Sequence, residues 1–309
     1  MMKKMRLLFF VVIAMLVLSA CSMDSSLEKK DDAAKETKEG SYKIGFSIST
    51  LNNPFFVTLS DGAKAVSKEN GVDLVIVDAQ DDASKQASDV EDLIQQGIDL
   101  LLINPVDSSA VGSAVESANA AGIPVITVDR SADSGEVVAH IASDNVEGGK
   151  LAGEYLLELV GEGAKVAMLE GVPGSSAARD RGEGFLEAVE GKVDLVSSQP
   201  ANFNRSEGLS VMENMLQAHP DIEAVFAQND EMALGALEAI SAAGKDIVVI
   251  GFDATDDALK KIDEGKMAAS VAQKPEEIGR TAIETAVKYL NGEEVEEFVP
   301  VELELVKKQ

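Results

Sequence analysis

From residue 41 onward the chain keeps one rhythm: a short apolar run, a helix-length amphipathic or alanine-rich stretch, then another apolar run. The runs at 44–49, 74–78, 100–104, 125–129, 165–170, 193–199, 224–228, 247–252 and 268–272 are of strand length. Between most of them lie segments such as "SAVGSAVESANAAG", which closes on a glycine stop at Gly122. Strands separated by helices cannot pair through hairpins. They need crossovers, and crossovers give parallel sheets with helices on both faces. So many strands in 309 residues suit two such sheets better than one. A boundary is expected near Ser143, where "HIASDN" interrupts the rhythm before a helix beginning around Val146.

The N-terminus stands apart. Lys3, Lys4 and Arg6 precede the apolar run "LLFFVVIAMLVL", and "LSAC" supplies small residues at a cleavage point. This reads as a signal peptide over residues 1–20, too short for a membrane-spanning helix. Cleavage would make Cys21, the only cysteine, the new N-terminus, so no intrachain disulfide is expected. Residues 21–40 are mostly Ser, Asp, Glu and Lys and read as a flexible acidic tether. Losing the signal removes three positive charges from a chain of formal charge −27, leaving −30. Such a surface repels nucleic acid, which is excluded as a partner.

The useful polar residues sit where strands end, and in open α/β sheets ligands bind outside the carboxyl ends. Asn104 ends the third run, Asp129 and Arg130 the fourth; Asn229, Asp253 and Gln273 follow later ones. Arg179 comes shortly after "VAMLEG", and Phe203 just beyond "LVSSQP". The stretch "STLNNPFF" sets the adjacent rings Phe55 and Phe56 where a strand hands over to a helix, with Pro54 suited to its first turn. Neighbouring helical residues point in different directions, so at least one ring should face something other than core. In a chain only 4% aromatic, Phe55, Phe56, Phe203 and Phe252 all fall at such positions.

Two carboxylates (Asp129, Asp253) and two guanidinium groups (Arg130, Arg179) balance one another, which suits a neutral ligand. Planar amides, carboxylates and guanidinium groups offer fixed donors and acceptors, and a polyol such as a sugar needs many of each. Taken singly, Asn and Asp after strands are often turn formers or helix caps; their co-occurrence favours a site. Other chemistry has little support. The chain has no GxxxxGK[ST] loop, dinucleotide fingerprint or GxSxG elbow. His140 and His219, read as structural and as a surface cap, are the only histidines, so a His/Cys metal site is not expected. Asp129 with Asp253 could suggest a glycoside hydrolase, but Arg130 should lower the pKa of Asp129 rather than raise it. A binding protein without cofactor or metal is expected, not an enzyme.

The segments "STLNNPFF", "LLINPVDS", "GIPVITVDR", "HIASDNV", "AARDRGEGF", "VFAQNDEMALGAL" and "GFDAT" closely resemble bacterial ribose-binding proteins, solute receptors of ABC importers. The resemblance runs from about Tyr42 to Gln309. It implies the type I periplasmic binding protein fold: two similar doubly wound parallel-sheet lobes joined by a three-segment hinge. The implied lobes are 41–143 with 274–302, and 144–273 with 303–309. Implied sugar contacts are Asn53, Asp129, Arg130, Arg179, Asn229, Asp253 and Gln273, with Phe55, Phe56 and Phe203 as aromatic walls and Ser49, Asn104 and Phe252 as lining. "LSAC" resembles a lipobox, so Cys21 is expected to carry a lipid that anchors the protein to the outer face of the cytoplasmic membrane. The implied function is capture of D-ribose by a monomeric receptor for an ABC permease. Another neutral monosaccharide (allose, galactose or another pentose) and a chemotaxis role are the alternatives within the class. A sugar-responsive repressor shares this fold but would carry a helix-turn-helix where this chain has an export signal.

Overall fold

The computed structural model describes residues 41–308. The expected signal peptide at 1–20, the expected lipidation site Cys21 and the expected tether to residue 40 lie outside the described residues, as does Gln309. Strands β1 (Lys43–Ile48), β2 (Asp73–Asp78), β3 (Leu100–Ile103), β4 (Val125–Val128) and β5 (Ala139–Ser143) form a first group. Strands β6 (Lys165–Glu170), β7 (Asp194–Pro200), β8 (Ala224–Ala227), β9 (Val248–Asp253) and β10 (Ala269–Ala272) form a second; β11 (Phe298–Val301) and β12 (Glu304–Lys307) follow. They assemble into two six-stranded sheets, ordered β11-β5-β4-β3-β1-β2 and β12-β10-β9-β8-β6-β7. All pairings are parallel except that β12 runs antiparallel to β10. The two lobes thus repeat one doubly wound α/β plan.

The helices are α1 (Pro54–Glu69), α2 (Ala83–Gln95), α3 (Gly112–Ala120), α4 (Asn145–Val160), α5 (Ser176–Val189), α6 (Arg205–Ala218), α7 (Asp230–Ala242), α8 (Asp256–Asp263) and α9 (Pro275–Leu290). Helices on both faces bury the central strands, so every residue of β3 and β4 is buried, and all are apolar except Thr127. In the first lobe Leu59, Ala63 and Val66 of α1 pack with Ile278, Ala282 and Ile283 of α9 over β1, β3 and β4. α9 follows β10 of the second sheet, so the chain has crossed back. It crosses between the sheets three times: after β5, after β10, and between β11 and β12. Where α1 meets α9 the backbones nearly touch. A Cβ on Gly62 would overlap the Glu276 carbonyl, and one on Gly279 the Leu59 carbonyl.

Three strands escaped the sequence reading. "HIASDN", taken as a break in the rhythm, contains most of β5. β11 and β12 are four-residue edge strands, mostly exposed or half-buried, and β11 contains Pro300, which is tolerated only where one side of the strand is free. Segments this short are held by remote partners rather than by local pattern.

Candidate functional site

Both sheets change winding direction at the same place, between β1 and β3 in the first lobe and between β6 and β8 in the second. The residues that leave the carboxyl ends of the strands line one small cleft. Asn53, Phe55, Phe56, Asp129 and Arg130 come from the first lobe; Ala177, Arg181, Phe203, Asn229 and Asp253 come from the second. Gln273, just after β10, completes the lining.

Each side chain is set by local rules. Asn53 caps α1: its Oδ1 accepts from Phe55 N at 3.0 Å, and Pro54 occupies the first helical turn. The cap aims Phe55 and Phe56 inward, edge to face with centroids 5.2 Å apart. Asn229 caps α7, its Oδ1 accepting from Met232 N at 3.0 Å, while its Nδ2 donates to Phe203 O at 3.3 Å. Both asparagines therefore cap a helix and line the cleft at once. Asp129 and Asp253 leave the fourth strand of their respective lobes with φ of 65° and 112°. A left-handed backbone at a non-glycine residue carries strain, and strain of this kind gathers at functional sites.

Three of the residues expected to line the site stand one layer behind it. Asn104 Oδ1 accepts from Ser49 N at 3.1 Å, and its Nδ2 donates to Val128 O at 3.0 Å, tying the ends of β1 and β4 together beneath Asp129. Gln228 does the same work in the second lobe, accepting from Gly171 N at 2.8 Å. Ser49 and Phe252 are fully buried, and the Phe252 ring lies 3.8 Å beneath the Arg181 guanidinium carbon. They brace the walls and do not form them.

Arg179 needs a correction. It lies outside the cleft, its side chain 45% exposed, with Nη2 donating to Asp133 Oδ1 at 2.9 Å. The second arginine of the site is Arg181, whose side chain is 4% exposed. Its Nε donates to Asn145 Oδ1 at 2.8 Å, its Nη1 to Gln228 O at 2.7 Å, and Asp253 Oδ1 stands 3.9 Å away. The reason is helical period. Two residues on a helix differ by about 200°, so Arg179 and Arg181 point to opposite sides. Ala177, Arg181, Phe185 and Ala188 share the buried stripe of α5, a period that was available in "AARDRGEGFLEA".

The charge balance therefore holds with a different arginine. Arg130 lies over Phe56 and Phe203 at 5.2 and 5.3 Å, and its Nη1 donates to Pro105 O at 3.1 Å. Burial pushes the Asp129 carboxyl above its usual range although Arg130 and Arg181 pull it down. This reverses the direction expected from Arg130 alone, because desolvation was not visible in sequence. Burial likewise raises Asp253 to about 7 against the pull of Arg181 and of Gln273, whose Nε2 donates to Asp253 Oδ1 at 2.9 Å. Three buried polar atoms of this wall have no hydrogen-bond partner in the protein: Asp129 Oδ1, Arg130 Nε and Gln273 Oε1. Buried polar groups are rarely left so. Two acceptors and a donor converging on a small charge-balanced space are suited to hydroxyl groups, which donate and accept.

No cluster of His, Cys, Asp and Glu able to hold a metal occurs among the described residues, and none of the described helices is long and apolar enough to cross a membrane. The model of the periplasmic binding protein domain matches residues 44–294. The ribose import binding protein of Bacillus subtilis is 54% identical over 295 residues, covering 96% of both chains. That of Escherichia coli is 56% identical over 268 residues, covering 86% of this chain and 90% of its own. Among solved structures, a glycerol-bound ABC transporter solute-binding protein from Mycobacterium smegmatis superposes with a TM-score of 0.84 at 41% identity, covering 87% of this chain and 95% of its own.

Proposed function

The chain belongs to the periplasmic binding protein family, and from that premise we propose that it captures D-ribose outside the cytoplasm and delivers it to the permease of an ABC importer. One observation carries the choice of a neutral polyol: Asp129 Oδ1, Arg130 Nε and Gln273 Oε1 lack hydrogen bonds in a cleft whose two carboxylates face two arginines, Arg130 Nε being 3.8 Å from Asp129 Oδ2. Relatives at 54% and 56% identity are ribose import binding proteins. In this reading Asp129, Asp253 and Asn229 accept from sugar hydroxyls, Arg130 and Arg181 donate to them, and Gln273 and Asn53 complete the set. Phe55, Phe56 and Phe203 cover the carbon faces.

The ligand acts through the fold. Its contacts come from both lobes, and only the closed arrangement offers them together, so binding stabilises closure. The three crossings after β5, after β10 and after β11 are the segments that would flex. Closed, monomeric receptor is the form that the permease reads. Cys21, in its lipobox-like setting, carries the lipid that keeps the receptor at the membrane, and the acidic stretch to residue 40 gives it reach.

Calorimetric titration with D-ribose, D-allose, D-galactose and L-arabinose tests the reading. The expected result is tight one-to-one binding of ribose without product formation, the others binding more weakly. Tighter binding of another sugar would reassign the ligand, and turnover of ribose would refute a binding role.

A further inference from the structure

Beside the cleft lies a second, partly enclosed chamber of about 150 Å³. The two spaces share four wall residues, Asn53, Phe56, Arg130 and Phe203. The rest of the chamber is largely polar and spans both lobes, with Thr50, Asn52 and Asp81 on one side and Asn202, Asn204 and Ser206 on the other. Among these shared residues the Phe203 ring and the Arg130 guanidinium stand together, 5.3 Å from ring centroid to guanidinium carbon.

The ring is held in place from three directions. Asn202 and Phe203 are consecutive non-glycine residues in the left-handed region, with φ of 52° and 56°. Asn229, itself a cleft residue, donates to the Phe203 carbonyl at 3.3 Å. Gly171 lies so close to the ring that a Cβ there would overlap it. The partly buried ring thus packs at the edge of the second lobe's core and, held by a strained loop, also walls the cleft.

We propose that Phe203 sets the upper size limit of the ligand, walling the small cleft off from a polar chamber that is a latent subsite for a further hydroxylated group. The inference rests on the ribose reading and deepens it. A pentose ring needs only the cleft; a sugar extended toward the partition meets the Phe203 ring. With the ring removed the two spaces merge, and the amides, hydroxyls and Asp81 of the chamber become partners for the extension.

Calorimetry on Phe203→Ala and Phe203→Leu tests this, with D-ribose, methyl β-D-ribopyranoside and D-allose as probes. The last two each add one carbon outside the ribopyranose ring, at different positions. Expected is weaker ribose binding by Phe203→Ala, while the affinity of at least one enlarged sugar relative to ribose rises about tenfold or more over the parent. Phe203→Leu should fall between. Relative affinities unchanged in both variants overturn the partition, whatever happens to ribose itself. A parent that does not take ribose overturns the ribose reading instead; the same ratio is then read between the monosaccharide it does take and that sugar's methyl glycoside. Thermal unfolding without sugar shows whether Phe203→Ala has kept its fold, and if it has not, Phe203→Leu decides.

Discussion

Arg181 and Arg179 stand two positions apart and should behave as unrelated residues. Arg181 is buried against Phe252 and hydrogen-bonded to Asn145 and Gln228, so Arg181→Ala leaves Asp253 without its nearby cation. The expected cost to ribose binding is on the order of 2–5 kcal/mol. Arg179→Ala removes a half-exposed ion pair and should cost no more than about 1 kcal/mol. Calorimetry on the two variants separates them, and equal losses would count against the placement of Arg181 as a ligand contact. Asp253 gives a second test. Its carboxyl, raised to about 7 by burial, binds a proton in the folded apo protein that the unfolded chain releases nearer 4. Apo stability from this group is therefore present at acid pH and is lost as pH rises from about 4 toward 7. Hydroxyls donating to the ionised carboxylate favour its charged form. Ribose affinity should thus increase as pH rises through about 7 and level off above it. Titration at pH 6 in buffers of different ionisation enthalpy should show proton release, and uptake would refute this role for Asp253.

At the scale of elements, the first lobe depends on a helix that arrives late in sequence. α9 returns from the second sheet to close the core over α1, through the mutual approach of Gly62 and Gly279 to backbone carbonyls. There is no side chain here that could yield. Gly279→Ala is expected to lower stability by about 1–3 kcal/mol, since extra methyl groups in a close-packed contact force the backbone to move. Urea unfolding measures the loss; an unchanged midpoint would mean the helices can part without cost. The change lies away from the cleft, so the folded fraction should bind ribose with nearly parental affinity.

For the whole molecule, the lobes meet outside the ligand site as well. Ser108 N donates to Gly174 O at 2.9 Å, Ser176 N to Ser108 Oγ at 3.1 Å, and Ser131 N to Ser176 Oγ at 2.9 Å. Arg179 pairs with Asp133 across the same seam. A side chain at Gly174 would overlap the Asp107 carboxylate, a clash that exists only with the lobes together. Gly174→Val should accordingly shift the protein toward an open form, with ribose affinity roughly tenfold weaker if about 1.4 kcal/mol of closure energy is lost. Small-angle scattering should show a smaller radius of gyration for the parent on adding ribose, and a reduced change for the variant at equal sugar. An unchanged parental profile at saturation would argue against closure. Ribose at a thousandfold its dissociation constant should also stabilise the parent by about 4 kcal/mol, read as a rise in melting temperature.

The alternation of apolar runs and helical stretches was enough, on its own, to specify two parallel sheets, because crossover connections leave no other pairing. Strand ends could also be read, and ligand sites in such sheets gather there. Asp129, Arg130, Asn229, Asp253 and Gln273 are legible that way and Asn53 only through the family resemblance, and the fold brings all six together around one cleft. Whatever depended on which side of an element is buried was settled in three dimensions. Arg181 rather than Arg179 faces the cleft because α5 turns that stripe toward β6 and β8. Asn104, Ser49 and Phe252 became braces because other residues stand in front of them. β11 and β12 exist because edges of finished sheets accept them. The raised carboxyl groups of Asp129 and Asp253 follow the same logic. A neighbour in sequence supplies a charge, but only burial by distant parts of the chain removes the water that would otherwise stabilise the ionised form.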